Sequence, residues 1–302
     1  HCMSRTVNGE WLFDDEAKGV FASHMWKVAD FCGLQVLSFC VMSNHFHILV
    51  RVPDGSSVQV GDQELMRRYE VLHPGDTPGD RARLLTYETI FREGGDEAEQ
   101  LRRFLLSRMH DVSWFMRLLK QRFSIWFNSN HRRFGTLWAE RYKSVLVEGR
   151  RNALFATALY IELNPVRAGM VSHPKNYPHC SCAYSSRGDE RANAGILSTT
   201  KGYLKDGAGV TEALQFYLKQ IGKGSLGSSE RAALKRRLEK GDASVALTDL
   251  VMVKNRMFTD SEVFGSEAFI LKFYSKAVQI PFNSNEVSDL RMAHRLNGGI
   301  VD

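Results

Sequence analysis

Two histidines, His45 and His47, lie one residue apart in a segment rich in valine, leucine, isoleucine and phenylalanine. That composition predicts a β-strand, in which successive side chains alternate between two faces. Both imidazoles would then point to one face, with Phe46 on the other, and could bind one divalent metal ion. The spacing alone is a weak indication, because most such pairs are surface histidines or histidines at the edge of a core.

A tyrosine and an asparagine lie four residues apart in the segment 153–171, whose alanine, leucine and phenylalanine content predicts a helix. The helix should end near Asn164, because the residue before Pro165 is pushed out of the α region. Tyr160 and Asn164 then share one face of its last turn. A tyrosine hydroxyl beside a metal ion is a potential nucleophile. For this helix taken alone, a packed tyrosine followed by a helix-ending asparagine is the better interpretation.

Basic and acidic residues are segregated along the chain. The net charge is +6, but residues 101–150 contain eleven Lys or Arg and three Asp or Glu, whereas residues 54–100 contain five basic and eleven acidic residues. A solvated helix face normally mixes both signs, so this segregation favours an anionic partner such as nucleic acid.

Aromatic residues alternate with basic ones in segment 131–147. Aromatic rings stack on unpaired bases while Arg and Lys hold phosphates, a combination suited to single-stranded nucleic acid. Half of these aromatics could equally be core residues, and Trp138 is the one that we expect to be buried. The candidate DNA-binding residues are Arg102, Arg117, Lys120, Arg132, Arg133, Trp138, Arg141, Tyr142 and Lys143.

Composition limits the class of protein. No stretch of about 18 uninterrupted apolar residues exists, so nothing in the sequence is expected to span a membrane. The five cysteines are an odd set without a framework spacing, which suits a reducing cytoplasm. Cys180 and Cys182 form a C-x-C pair without a second pair, and we expect free thiols there.

The pattern of apolar residues predicts a mixed α and β region followed by a helical one. Residues 1–53 are predicted to form strand, turn, helix, strand and strand, and residues 54–100 an insertion with a short helix around 64–72. An apolar stripe from Leu105 to Trp126 predicts one continuous helix that covers the sheet. Segment 131–147 is predicted to form a turn followed by one strand.

Helical segments follow the last of these elements. We therefore expect a first domain at residues 1–188 and a smaller helical domain of open role at 189–302.

Three motifs together resemble the HUH single-tyrosine transposases, and most closely the REP-associated tyrosine transposases of bacteria. They are VMSNHFHILV around the histidines, GTLWAERYKSVLV as a basic connector, and YIELNPVRAG beginning at Tyr160. They occur in the family's order and at roughly its separations, over about residues 1–187. The resemblance implies an α+β fold, a ferredoxin-like antiparallel sheet with packed helices and with the histidines on a central strand.

The resemblance also implies a metal-dependent enzyme that cleaves and rejoins single-stranded DNA. In it, His45, His47 and Asn164 would hold Mg²⁺ or Mn²⁺. Tyr160 would attack the scissile phosphate, giving a 5′-phosphotyrosine and a free 3′-hydroxyl. No nucleotide cofactor is needed, because the bond energy is retained for rejoining. The implied substrate is hairpin DNA from a repetitive extragenic palindrome, and the implied location is the cytoplasm, at the nucleoid.

Several questions stay open at this point. Glu162 and Lys143 are candidates for the group that deprotonates the tyrosine, and the protein could be a monomer or a homodimer. A zinc-dependent hydrolase is a competing class, but neither His110 nor His131 lies in a recognisable zinc pattern. A catalytically silent hairpin-DNA-binding protein is a second competitor, although all the presumed site residues are present.

Overall fold

The computed structural model describes residues 1–54, 60–222, 228–239, 251 and 258–277. It has a mixed α/β architecture and divides into two compact units. Unit 1 comprises His1–Trp11, Leu37–Leu49 and Glu140–Asp302, and unit 2 comprises Leu12–Val36 and Val50–Ala139.

A four-stranded antiparallel sheet carries the histidine motif. Its strands are β1 (Cys2–Arg5), β2 (Gln35–Val41), β3 (His45–Arg51) and β4 (Lys143–Ser144). Two further strands, β5 (Leu146–Val147) and β6 (Val263–Phe264), lie outside this sheet. The sheet order is β2-β3-β1-β4, so β3 is an inner strand, as predicted, and β5 pairs separately with β6 in parallel. Segment 131–147 thus holds two strands of two residues where one strand was predicted.

The register of the sheet sets which side chains accompany the histidines. Met3 pairs with His47, and Arg5 pairs with His45. On its other side Met3 pairs with Lys143 of β4. Directly paired residues point to the same face of an antiparallel sheet. The face that carries both histidines therefore also carries Met3, Arg5 and Lys143.

Helices account for most of the remaining described residues. They are α1 (Asp15–Cys32), α2 (Asp62–Leu72), α3 (Pro78–Glu93), α4 (Gly95–Leu106), α5 (Val112–Asn130), α6 (Arg151–Glu162), α7 (Asn164–Arg167), α8 (Ser181–Ser186), α9 (Glu190–Thr200), α10 (Val210–Gly222), α11 (Ser228–Glu239) and α12 (Glu267–Ala277). Among the described residues, no helix combines the length and the apolarity needed to cross a membrane.

The core of unit 1 lies between the histidine face of the sheet and α6. Met3 and Leu49 from the sheet join Phe155 and Leu159 of α6 in one buried cluster. Tyr217 of α10 belongs to the same cluster. Packing is therefore continuous across residue 189, and the separate C-terminal domain stays a prediction. The five cysteines of the chain are free and buried, which confirms the expectation of free thiols.

The core of unit 2 is an aromatic cluster on α1 and α5. Phe21 of α1 lies edge-on to Phe123 of α5, with ring centroids 5.1 Å apart, and Phe13 meets the same ring at 5.2 Å. Helix α1 begins where the Asp14 side chain accepts a hydrogen bond from the amide of Ala17. These contacts account for the part of the apolar stripe that lies on α5.

The continuous helix predicted from Leu105 to Trp126 is wrong. Helix α4 ends at Leu106 and α5 begins at Val112. His110, with φ of 54°, and the capping side chain of Asp111 separate the two helices.

In the insertion, the short helix is confirmed as α2. Helix α3 was not predicted, because its Pro78 was taken as a loop signal although proline is well tolerated at a helix start.

Candidate active site

His45 and His47 lie side by side on β3, as the sequence predicts. Their ring centroids are 5.2 Å apart. His47 is 5% exposed, and burial lowers its pKa well below the ordinary value, with the neighbouring His45 adding to the effect. Burial therefore favours the neutral form of His47, which is the form in which an imidazole binds a metal ion.

Asn44 fixes the protonation of the His45 ring. The Asn44 amide nitrogen donates to the carbonyl of Gly9 at 3.0 Å, so its oxygen is the atom that lies 2.7 Å from His45 Nδ1. That oxygen can only accept, and His45 Nδ1 must donate to it. In the neutral ring the lone pair then lies on Nε2.

Tyr160 lies in the last turn of α6, facing the histidines. Its ring centroid is 5.7 Å from that of His47. The guanidinium of Arg167 lies 4.2 Å from the centre of the tyrosine ring, and the Phe258 ring stacks on it at 4.5 Å. Two groups this close to one ring centre must occupy opposite faces of the ring.

Burial also changes the chemistry of the tyrosine. Tyr160 is 4% exposed. Desolvation raises the pKa of its hydroxyl above the ordinary value, while the positive charge of Arg167 acts in the opposite direction. Arg167 is itself held by main-chain carbonyls, donating to Tyr160 at 3.0 Å and to Val251 at 3.3 Å.

Helix α6 ends at Glu162, near the predicted end, but the expectation that Pro165 keeps the preceding residue out of a helix is wrong, because α7 begins at Asn164 itself. The Asn164 amide nitrogen donates to the carbonyls of Tyr160 and Ile161, both at 3.1 Å. The side chain thus has the helix-ending role that the sequence offered as the alternative. The same bonds fix the orientation of the amide, so that its oxygen is the atom that can bind a cation.

Two imidazole nitrogens and one amide oxygen are the candidate donor atoms for a divalent cation. The amide oxygen is a ligand type that suits Mg²⁺ and Mn²⁺, whereas imidazole also suits transition metals such as Zn²⁺. Within the described residues, no group of three or more His, Cys, Asp or Glu is placed to hold a metal ion. Asparagine is not among those residue types, so this finding does not test the set formed by His45, His47 and Asn164.

Of the two candidate proton acceptors, Glu162 is enclosed in the core. Its carboxylate accepts from the amide of Cys182 at 3.1 and 3.2 Å and from the Ser38 hydroxyl at 3.2 Å. Burial raises the pKa of Glu162 to about 7. Lys143 is exposed and lies on the histidine face of the sheet, 3.9 Å from Glu140.

The candidate DNA-binding residues of unit 2 do not share one environment. Arg102 is bonded to both carboxylate oxygens of Asp62 at 2.8 Å and is also paired with Glu99. Trp138 is 9% exposed, which confirms its expected burial, and its indole nitrogen donates to Ser124 at 2.8 Å. Both contacts count against the proposed DNA-binding roles of these two residues.

Other basic side chains of unit 2 lie against aromatic rings. The Arg117 guanidinium is 4.9 Å from the Trp114 ring centre, and the Lys120 amine is 5.2 Å from that of Trp138. The remaining candidates are exposed or half-buried; they are Arg132, Arg133, Arg141, Tyr142 and Lys143. Phe134, which is 93% exposed, is the neighbouring aromatic that is open to solvent.

Sequence reasoning missed four residues around the site: His1, Asn44, Arg167 and Phe258. Asn44 and Arg167 lie inside the motifs and could have been weighed. His1 and Phe258 are distant in sequence, and nothing in their local pattern signals a contact. Comparison of the chain with protein-family models, curated proteins and solved structures gave no match. The functional assignment therefore depends on the motifs and on the geometry of this site.

Proposed function

We propose that this protein is a metal-dependent enzyme that cleaves and rejoins single-stranded DNA through a 5′-phosphotyrosine at Tyr160. The observation that carries the proposal is the position of the Tyr160 ring, 5.7 Å from a buried His47 on the same sheet face as His45. The tyrosine ring and the histidine strand thus come together from segments more than a hundred residues apart in the chain, which supports roles for them in one site.

The chain's own residues would perform the reaction as follows. The Tyr160 oxygen loses its proton and forms a bond to phosphorus, and the bond from phosphorus to the 3′ oxygen breaks. The 3′ oxygen takes up a proton and leaves as a hydroxyl, so one proton is released and one is consumed. A 3′-hydroxyl then attacks the phosphotyrosine, and the tyrosine leaves, so no external energy source is required. His45, His47 and Asn164 would hold Mg²⁺ or Mn²⁺, which supplies neutralisation of the charge that develops on the phosphate.

The topology supports the ferredoxin-like HUH fold as part of this proposal. The chain runs strand, helix, strand, strand, helices, strand, which is the element order of ferredoxin-like folds. Strand β1 lies between β3 and β4. On the resemblance described above, the substrate that we propose is hairpin-forming repetitive extragenic palindromic DNA at the bacterial nucleoid. Exposed bases at hairpin tips and flanks would be open to stacking.

A second candidate, hairpin-DNA binding without cleavage, is favoured by one observation. Tyr160 is 4% exposed, with both ring faces covered. A tyrosine in this position could be a packing residue alone.

One assay separates the two candidates. The protein is mixed with a hairpin oligonucleotide and either Mg²⁺ or Mn²⁺, and an SDS-resistant protein–DNA adduct is sought. An adduct that requires Tyr160 supports the enzyme. Hairpin binding without an adduct in either metal would support the second candidate, a protein that binds hairpin DNA without cleaving it.

A further inference from the structure

A chain of hydrogen bonds ends on His47. His1 Nε2 lies 2.9 Å from His47 Nδ1, and His1 Nδ1 lies 2.8 Å from the carbonyl oxygen of Phe258. The rings of His1 and His47 are stacked, with centroids 5.1 Å apart. His1 is 6% exposed and Phe258 is 1% exposed, so water competes little for these bonds.

The Phe258 carbonyl determines which atom donates and which accepts in both hydrogen bonds. A carbonyl oxygen can only accept, so His1 Nδ1 must donate to Phe258. A neutral imidazole carries a single N–H, and His1 Nε2 is therefore an acceptor. His47 Nδ1 must then donate to it, which leaves the His47 lone pair on Nε2. This direction holds for the neutral His1 ring, and the measurement below is therefore made at about pH 8.

We propose that His1 is a positioning residue that holds His47 in the tautomer whose Nε2 can bind a divalent cation. The part concerning the cation rests on the proposed function; the tautomer does not. Histidines that bind metal ions usually donate their other N–H to a nearby acceptor, which fixes both the tautomer and the ring orientation. Asn44 accepts from Nδ1 of His45 in the same way. His1 and Asn44 therefore both leave the lone pair of the neighbouring histidine on Nε2.

The tautomer is measured first, in metal-free protein. Nitrogen NMR of histidine-labelled protein at about pH 8 distinguishes protonated from unprotonated ring nitrogens, with His47→Gln used to assign the His47 signals. We expect His1 and His47 each to carry the proton on Nδ1. A His47 protonated on Nε2 in the wild type would overturn the proposal, without any variant being needed.

Two variants at position 1 then test the role of the ring. His1→Ala removes the acceptor, so His47 should populate both tautomers, and Mn²⁺ affinity measured by electron paramagnetic resonance should fall by about 10–100-fold. His1→Gln offers an amide oxygen to His47 and an amide N–H to Phe258, and should retain both the tautomer and most of the affinity. His179→Ala, which removes another buried histidine of unit 1, is the control for packing loss and should leave both readouts unchanged.

The outcomes separate this inference from the proposed function. If folded His1→Ala keeps the His47 tautomer and the Mn²⁺ affinity of the wild type, His1 is not a positioning residue, even if an adduct forms on Tyr160. If the tautomer and the affinity respond as expected but no hairpin yields an adduct, the positioning role stands and the proposed reaction fails. Should His1→Ala not fold, the wild-type spectrum and His1→Gln still decide the matter.

Discussion

Polar side chains at the candidate site of unit 1 are held by different partners from those that hold Arg102 in unit 2. At the site the partners are main-chain carbonyls: Phe258 accepts from His1, Val251 from Arg167, and Tyr160 from both Arg167 and Asn164. In unit 2 the partners of Arg102 are the carboxylates of Asp62 and Glu99. A carbonyl orients a side chain without neutralising it, whereas a carboxylate removes its charge from the surface. Arg102 therefore contributes less to an anion-binding surface than the composition of residues 101–150 suggests.

The strongest test of the unit 1 arrangement is Tyr160→Phe. The ring and its contacts with Arg167 and Phe258 persist, so we expect an unchanged fold and retained hairpin binding. The covalent adduct should disappear, because phenylalanine has no oxygen to attack phosphorus. Denaturing gels of protein incubated with hairpin oligonucleotide and Mn²⁺ measure this. Tyr142→Phe is the matched control, and an adduct that survives Tyr160→Phe would move the nucleophile elsewhere.

The next effect contrasts two aromatic residues of unit 2. Trp138→Ala empties a site in the aromatic core and should lower the free energy of unfolding by about 3–5 kcal/mol. Phe134→Ala, at an exposed ring, should change stability by less than about 0.5 kcal/mol. If Phe134 stacks on a base, its loss should weaken single-strand binding by about 1–3 kcal/mol. Denaturant titration and filter binding measure the two effects, and equal stability losses would contradict the burial difference.

A pH effect is expected from Glu162 in the core of unit 1. Its folded-state pKa of about 7 exceeds the unfolded value of 4.5, so the protonated form is favoured by folding. The contribution to stability is full below pH 4.5 and is lost as pH rises to 7, by at most about 1.4 kcal/mol per pH unit. Glu162→Gln should flatten this decline in denaturant titrations. Glu190→Gln, at an exposed carboxylate, controls for the lost charge; the same slope in Glu162→Gln and wild type would refute the assignment.

The smallest effect compares two arginines. Arg132 is exposed, so Arg132→Ala should weaken hairpin binding and reduce the salt slope of the affinity by about one. Arg102→Ala should leave the slope unchanged, because Asp62 already neutralises that guanidinium. Filter binding over a salt series distinguishes the two. A loss of slope in Arg102→Ala equal to that in Arg132→Ala would show that the ion pair opens when DNA binds.

Local patterns predicted the elements that carry the candidate site. Strand periodicity placed His45 and His47 on one face, and the Asn-Pro step marked the approximate end of α6. Both depend on neighbours within a few residues. The break at His110 was missed, because apolar spacing of three and four residues continued through it. The contacts of Tyr160 with Phe258 and of His1 with His47 were beyond prediction, since they join segments 98 and 46 positions apart.

The enclosure of the Tyr160 ring has a consequence for where a reaction could occur. With Arg167 on one face and Phe258 on the other, the side chain keeps one orientation, and folding rather than substrate binding bears the entropy cost of ordering it. No base can stack on a ring whose two faces are filled, so a strand must present its phosphate at the hydroxyl edge. Under the proposed function, a phosphotyrosine formed there would stay in place, and rejoining would require the 3′ end of the DNA to travel to the protein.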